Sequence, residues 1–121
     1  MNYVAGKPVR GEIASADASA GVSFTLYDGN GVAVTLGSTE RILISDIDLS
    51  SDTAMRAEVF FGADATVDDG ERLFAAYFGA NGGASKSFTQ PEYVPAGRTP
   101  RLRTSASGNI RAIFNGVIIK A

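Results

Sequence analysis

Apolar and polar residues alternate along most of this 121-residue chain. Alternation with a period of two is typical of half-buried β-strands, and no helical apolar period of useful length occurs. The pattern predicts about eight strands spaced by roughly 8–12 residues, which indicates a sandwich or a barrel. We therefore expect an all-β, single-domain antiparallel β-sandwich, jelly-roll-like, over residues 21–121. Within the first part of the chain the stretch ASADASAG is small and polar, and we expect residues 1–20 to form an N-terminal arm or an edge segment.

Several strands can be placed directly. Val22–Tyr27 and Val32–Leu36 flank the sequence DGNG, which suits a tight hairpin turn. Met55–Gly62 predicts a strand whose odd-numbered residues form one apolar face. Arg72–Ala80 is apolar on both faces, which favours a central strand.

Three other segments carry expectations about facing and order. In Arg41–Ser50 the strand face with Leu43, Ile47 and Leu49 is more uniformly apolar than the opposite face, and we expect it to face the core. Pro91–Pro100 contains three of the four prolines, which predicts a loop that crosses over the sandwich. Proline has no backbone N–H, so these residues could not donate hydrogen bonds within a β-ladder.

The segment from Ile110 to about Lys120 is the most apolar of the chain and predicts a strand deep in a sheet. Gly116 lies inside it. A glycine within a strand indicates a bulge or a close backbone approach, and here we expect the strand to shift its facing at this point.

The composition narrows the function. The chain has no Cys and no His, which removes disulfides, thiolate chemistry and the commonest metal ligand. The usual acid–base and nucleophile constellations cannot be built, so we expect no enzymatic activity and no cofactor. No segment approaches the roughly 20 apolar residues of a membrane helix, and the N-terminus does not resemble a secretory signal. We expect no membrane partner.

Charge is unevenly distributed. Residues 1–70 hold four basic and eleven acidic residues, whereas residues 71–121 hold seven basic and two acidic ones. Either the folded body is polarised, which would favour head-to-tail association, or the fold interleaves the two halves and cancels the difference.

An acidic run lies between two predicted strands. Asp64, Asp68, Asp69 and Glu71 could offer oxygens to calcium, but their spacing is not that of an EF-hand loop. A solvated turn is the favoured interpretation. Asp46 and Asp48 are expected on an exposed strand face.

Basic residues cluster near the end of the chain, at Arg98, Arg101, Arg103 and Arg111. If the last two strands pair as a hairpin, Arg111 comes close to the other three. Arginine forks bind carboxylates and phosphates, so this group is either a solvated face or an interface for an acidic protein partner. Nucleic acid is not favoured, because stacking aromatics are not interleaved with the arginines.

Two predicted strands carry large apolar side chains on both faces, whereas a two-layer sandwich buries only one face of each sheet. Phe60, Phe74 and Phe78 alternate with Phe61, Leu73 and Tyr77 and therefore lie on opposite strand faces. Phe60, Phe74 and Phe78 would be covered by loops or exposed as an apolar patch. Such a patch usually marks an interface, which suggests self-association.

Two segments carry a family resemblance. Tyr93–Ala121, with a PAG turn and a final Gly-containing strand, resembles the closing part of small β-sandwich proteins of tailed-phage virions. Leu36–Gly62 looks like their paired central strands. The resemblance implies a non-enzymatic decoration (cement) protein that binds the major capsid protein on the outer capsid surface, as an oligomer and as a trimer in particular. It further implies synthesis in the host cytoplasm and localisation to the virion.

A second class of function stays open at this point. Jelly-roll domains of phage fibres bind glycans or receptors, often through aromatic platforms. The chain has no Trp, but Tyr27, Tyr77 and Tyr93 could serve in its place.

Overall fold

The fold is seen in a computed structural model that describes residues 6–62, 72–94 and 98–120. Every regular element in these ranges is a β-strand. The strands are β1 (Lys7–Asp17), β2 (Val22–Ser23), β3 (Thr25–Asp28), β4 (Glu40–Ser51), β5 (Met55–Gly62), β6 (Arg72–Phe78), β7 (Gly82–Val94), β8 (Thr99–Thr104) and β9 (Asn109–Lys120). None of the described residues belongs to a helix that could span a bilayer.

The strands form two antiparallel sheets. One has five strands in the order β3-β1-β9-β4-β7, and the other has four in the order β2-β8-β5-β6. Strands distant in sequence lie side by side in both sheets, which is the arrangement of a jelly roll. The predicted all-β sandwich is confirmed, with nine described strands where about eight were expected.

β1 lies inside the five-stranded sheet, paired with β3 on one side and with β9 on the other. Lys7–Asp17 is therefore an integral strand and not the arm or edge segment expected of residues 1–20. A register shift between Ile13 and Ala16 interrupts its pairing with β9. The alternation of buried residues before this shift is weak in sequence, because Gly11 occupies one inward position.

The chain changes sheets at Phe24. Val22 and Ser23 pair with β8, and the Phe24 N–H still donates to Pro100 O at 3.1 Å. One residue later, Thr25 pairs with Glu12 in the other sheet. Strands that bend between sheets close the corner of a sandwich.

The predicted hairpin after Tyr27 forms only in part. Asp28 Oδ1 accepts from the backbone N–H of Asn30 and of Val32, which fixes the turn, and Gly31 takes a positive φ of 77°. The returning segment makes a single bridge, between Ala33 and Tyr27. Val32–Leu36 is therefore not a full strand.

β4 contains a β-bulge that changes which residues face the core. Ile44 pairs with Gly116 and Asp46 with Asn115, so Ser45 is an extra residue. Ile42 and Ile44 are buried before the bulge, and Ile47 and Leu49 are buried after it. The expectation that Leu43 shares the core face with Ile47 and Leu49 is wrong, because the bulge reverses the alternation between them.

β9 is central in its sheet, as its apolar sequence predicts. Ile110, Ala112, Phe114 and Ile118 are buried at a strict period of two, so the strand does not shift its facing at Gly116. The glycine marks a close approach instead. A Cβ at Gly116 would lie 2.2 Å from the backbone oxygen of Leu43, beside the bulge in β4.

Two further expectations are corrected. β6 is an edge strand and not a central one, although it is apolar on both faces. β7 continues through Pro91 to Val94, and Glu92–Val94 pair with β4, so this part of Pro91–Pro100 is strand and not a crossing loop. Proline is tolerated there because β7 is itself an edge strand.

The core lies between the two sheets. β1, β4 and β9 supply its aliphatic residues from one side, and β5 and β8 supply Met55, Ala57, Val59 and Leu102 from the other. Phe24 and Phe114 meet edge to face at its centre, with ring centroids 5.1 Å apart.

Candidate interaction surfaces

The structure does not bring the four predicted arginines together. β8 and β9 lie in different sheets and do not form a hairpin. Arg101 and Arg103 alternate with the buried Pro100, Leu102 and Thr104 and lie on the outer face of the four-stranded sheet. Arg111 lies on the outer face of the five-stranded sheet, on the opposite side of the molecule.

The outer face of the four-stranded sheet is organised around Glu58. Its carboxylate forms ion pairs with Arg56 and, at 2.7 Å, with Arg72 Nε. Arg103 is its direct neighbour in the ladder with β8. Only 14% of the Glu58 side chain is exposed, so this carboxylate is the shared counter-ion of a basic surface.

Arg98 and Arg101 lie at the margin of this surface. Arg101 Nε donates weakly to Gly62 O at 3.4 Å. Arg98 is exposed and borders a small apolar cleft with Phe24, Leu26 and Pro100. The role of the arginines in an interface stays a prediction.

The predicted aromatic patch has a different composition. Phe60 is fully buried, which is contrary to an exposed position. Phe74 pairs with Val59 and Phe78 with Met55, so both face inward and pack against the core. The sequence misassigned the face of Phe74 and Phe78 because β6 is apolar on both faces, so its alternation does not say which face is inward.

The exposed aromatic residue of β6 is Tyr77, with 81% of its surface accessible. The Arg56 guanidinium lies 5.6 Å from the centre of its ring. A similar pair occurs on the other sheet, where Arg10 lies 5.7 Å from the ring centre of Tyr27 on the edge strand β3. Cation–π contacts of this kind hold an exposed ring flat on a sheet.

The aspartates of β4 are engaged in hydrogen bonds on the outer face of the five-stranded sheet. Asn115 Nδ2 donates to Asp46 Oδ1 at 2.9 Å, and Ser45 Oγ donates to Asn115 O at 3.0 Å. Ser85 Oγ donates to Asp48 Oδ1. Within the described ranges, no three acidic or other metal-binding side chains come together. Most of the candidate calcium run, Gly62–Glu71, lies outside these ranges.

A polar cleft surrounds Arg111. A cavity of about 480 Å³ opens at the end of the five-stranded sheet, where β1 and β9 diverge at the register shift. A second cavity of about 350 Å³ continues along the sheet and shares Ser50 and Arg111 with the first. The first is lined by Ser15, Ser50, Ser51, Asp52, Asn81, Gly82, Asn109, Ile110 and Arg111, and the second adds Asp48, Leu49 and Ile113.

Arg111 differs from the arginines of the opposite face. Among the described residues, its guanidinium makes neither an ion pair nor a hydrogen bond. Its strand neighbour across the ladder is Ser50, and the neighbouring acidic residue that lines the same cavity is Asp52. The charge of Arg111 is therefore available to a bound group.

Among the described strands, the topology interleaves the acidic and basic halves of the sequence. β9 and β8, from the basic half, each lie between two strands of the acidic half. Interleaving therefore mixes the charges on both outer faces. This strand order does not produce a body with one acidic and one basic end.

Asp17, the last residue of β1, has a lowered pKa. The backbone N–H of Ser19 donates to Asp17 Oδ1 at 2.9 Å, and this bond lowers the pKa of Asp17 below its ordinary value of 3.8. The side chain of Ser19 acts in the same direction.

Comparison with known proteins adds little beyond the fold. No protein-family model matches the chain, and no curated protein matches it. One similar solved structure comes from the cyanophage Pam1 capsid asymmetric unit, with a TM-score of 0.46 and 11% sequence identity. The match covers 97% of this chain and 89% of that chain. At this level of similarity it gives no information about activity or partners.

Proposed function

We propose that this protein is a non-enzymatic structural component of a phage virion, a decoration protein that binds the outer capsid surface as an oligomer and stabilises the shell. The observation that carries the proposal is the edge position of β6 among the described strands. The assignment to a virion is supported by the sequence resemblance of Leu36–Gly62 and Tyr93–Ala121 to small phage β-sandwich proteins. The jelly-roll fold is shared by viral capsid and lectin domains, so it is compatible with the assignment but does not select it.

β6 has one neighbour, β5, among the described strands. Its inward residues Phe74 and Phe78 pack against the core, as does Leu73 at the register shift, and its outward residues are Ala75 and Tyr77. An edge strand exposes a row of backbone N–H and C=O groups that can pair with another chain. An apolar edge with an exposed tyrosine is therefore a natural site for self-association.

The other edges of the sandwich are protected. β2 has two residues and β3 has four, which is too short for extensive pairing. β7 is long, but Lys86 pairs with Ile47 and so has an inward-facing position at the edge, where it remains exposed. Inward charges of this kind prevent sheets from joining. β6 carries a charge only at its first residue, Arg72.

A second copy of the chain is the occupant that we assign to this edge. Pairing would extend the four-stranded sheet and cover Tyr77 on its outer face. Arg56 and Arg72, which pair with Glu58, lie beside the same edge, and we assign them to docking on an acidic surface of a capsid subunit.

The experiment compares the oligomeric state of the wild type and two variants by sedimentation velocity and native mass spectrometry. We expect the wild type to form a discrete oligomer: paired β6 edges alone give a dimer, and the trimer that the phage resemblance implies needs one further contact. Tyr77→Ser should shift either oligomer towards monomer. Tyr27→Ser is the control, because it removes the corresponding tyrosine–arginine pair from the other sheet. A wild type that is monomeric at all concentrations would contradict the proposal.

Binding to a shell is tested separately. Purified protein is mixed with capsids that lack it and the particles are heated. We expect co-sedimentation and a higher disruption temperature, and both should be reduced by Tyr77→Ser. If the protein oligomerises but binds no capsid, the self-association surface stands and the proposed virion role is wrong.

A further inference from the structure

We propose that the cleft around Arg111 binds an acidic saccharide, with the Arg111 guanidinium holding its carboxylate. This function is independent of oligomerisation through β6, because the cleft lies on the other sheet. The inference rests on three features of the cleft: an uncommitted cation, a lining rich in hydroxyl and amide groups, and two carboxylates that can only accept hydrogen bonds.

The cation is the first feature. Arg111 has no ion pair among the described residues, whereas Arg56 and Arg72 on the opposite face share Glu58. A guanidinium binds a carboxylate through two parallel N–H···O bonds. An arginine that is already committed would have to break an ion pair first. Arg111 is therefore the side chain best placed to hold an anionic group.

The lining of the cleft is the second feature. Ser15, Ser50, Asn81 and Asn109 surround the larger cavity. Serine hydroxyls and asparagine amides both donate and accept, which matches the hydroxyl groups of a sugar. Ile113 is half-buried and adds a small apolar surface on which the C–H groups of a sugar ring can rest.

The carboxylates separate a saccharide from an acidic peptide. Asp52 lines the larger cavity and Asp48 the smaller one, and ionised carboxylates only accept hydrogen bonds. Sugar hydroxyls supply donors to them. A run of acidic residues would instead place further carboxylates against Asp48 and Asp52, with one arginine to compensate. A ligand with one carboxylate and several hydroxyls satisfies both kinds of group.

The size of the cleft agrees with this ligand class. The two cavities of about 480 and 350 Å³ meet at Ser50 and Arg111. Binding pockets of roughly 300–1,000 Å³ accept small molecules, so the pair has room for one or two sugar rings. Arg111 lies where the cavities meet, which places the carboxylate at the centre of the ligand.

The test uses glycans that carry uronic or sialic acids beside neutral glycans of the same length, first on an array and then by isothermal titration. We expect the acidic members to bind and the neutral ones to bind at least ~10-fold more weakly. Chemical-shift changes in the ¹⁵N spectrum should centre on Ser50, Asn109 and Arg111.

Variants locate the site. Arg111→Ala should reduce the affinity at least ~10-fold. Arg111→Lys keeps the charge but loses the paired N–H donors, so its affinity should lie between those of the wild type and Arg111→Ala. Arg10→Ala is the control, because Arg10 lies on the same sheet face but does not line the cleft. Equal binding of acidic and neutral glycans, unchanged affinity in Arg111→Ala, or tighter binding of a hexaglutamate peptide would each overturn the proposal.

Discussion

Gly11 lies beneath the ring of Phe114, and a Cβ built on this glycine would be 1.8 Å from Phe114 Cε2. The two residues are direct partners in the ladder between β1 and β9. The ring of Phe24 packs against the same Phe114 ring, edge to face. The aromatic ring thus fills the inward position that Gly11 leaves empty, and it has no room to retreat.

This contact predicts the sign of a substitution. Glycine is ordinarily unfavourable in a strand, so Gly11→Ala would stabilise an open site. Here we expect it to lower the free energy of unfolding by about 1–3 kcal/mol, because the ring must move into a packed core. Urea denaturation measures the change.

A double-mutant cycle identifies the cause. Phe114→Leu removes the ring atoms that meet the new methyl group, so Gly11→Ala should cost much less in that background. Equal costs in the two backgrounds would show that Phe114 is not the obstacle.

Gly116→Ala should destabilise the protein for a different reason. Its Cβ would lie 2.2 Å from Leu43 O, which belongs to the backbone of β4 and cannot rotate away. We expect a lower melting temperature and a loss of about 1–3 kcal/mol. Gly79→Ala is the control, since nothing lies within 4 Å of its Cβ position and its φ is not positive. Similar losses at both glycines would argue against the close approach.

Glu58→Gln should destabilise the fold more than Glu12→Gln. Glu58 is the shared partner of Arg56 and Arg72, and 14% of its side chain is exposed. Glu12 makes one contact, 3.5 Å from Arg10, a residue that is half exposed. We expect about 1–2 kcal/mol for the first and about 0–0.5 kcal/mol for the second, since exposed pairs are screened by solvent. Thermal unfolding at low and high salt tests this, and the difference should shrink as salt rises.

Asp17 should contribute to stability at neutral pH and not in strong acid. Its pKa in the folded state is lowered by the hydrogen bond from the Ser19 N–H, so the folded state favours the ionised form. The contribution is present above the ordinary pKa of 3.8 and is lost as the pH falls through the lower folded-state value.

The measurement compares wild type with Asp17→Ala across this acid range. The wild type should be the more stable at neutral pH, and the two proteins should converge at low pH. NMR titration of the Asp17 carboxyl should give a midpoint below 3.8. A midpoint at or above that value would contradict the assignment.

Strand existence was largely predictable from the sequence, because alternation is a local property. β5 occupies the predicted range Met55–Gly62 and buries the predicted face. β9 likewise begins and ends within one residue of its prediction. In both cases the inward residues keep a period of two without interruption over the predicted core positions.

Facing and neighbours were harder to predict, because they depend on single extra residues and on distant partners. Ser45 reverses the facing of β4, and the shift after Val59 offsets β5 from β6. Neither leaves a glycine or proline at the bulge as a signal. β6 was misplaced at the centre of its sheet because it is apolar on both faces although it lies at an edge.

The candidate site was predicted only through Arg111. The sequence assigned this residue to a partner but grouped it with Arg101 and Arg103, which lie on the other sheet. The remaining lining residues are ordinary serines and asparagines. Ser15 comes from the irregular part of β1 and Asn81 from the turn before β7, so only the fold brings them beside Arg111.

The position of β9 has a consequence for the synthesis of the chain. It follows every other described strand in sequence, yet it joins β1 to β4 across the middle of the larger sheet. While the ribosome has not yet released residues 109–120, β3–β1 and β4–β7 are separate pairs, each with an open edge. The larger sheet therefore cannot close before residues 109–120 are available, and until then the unpaired edges of one nascent chain can join those of its neighbours.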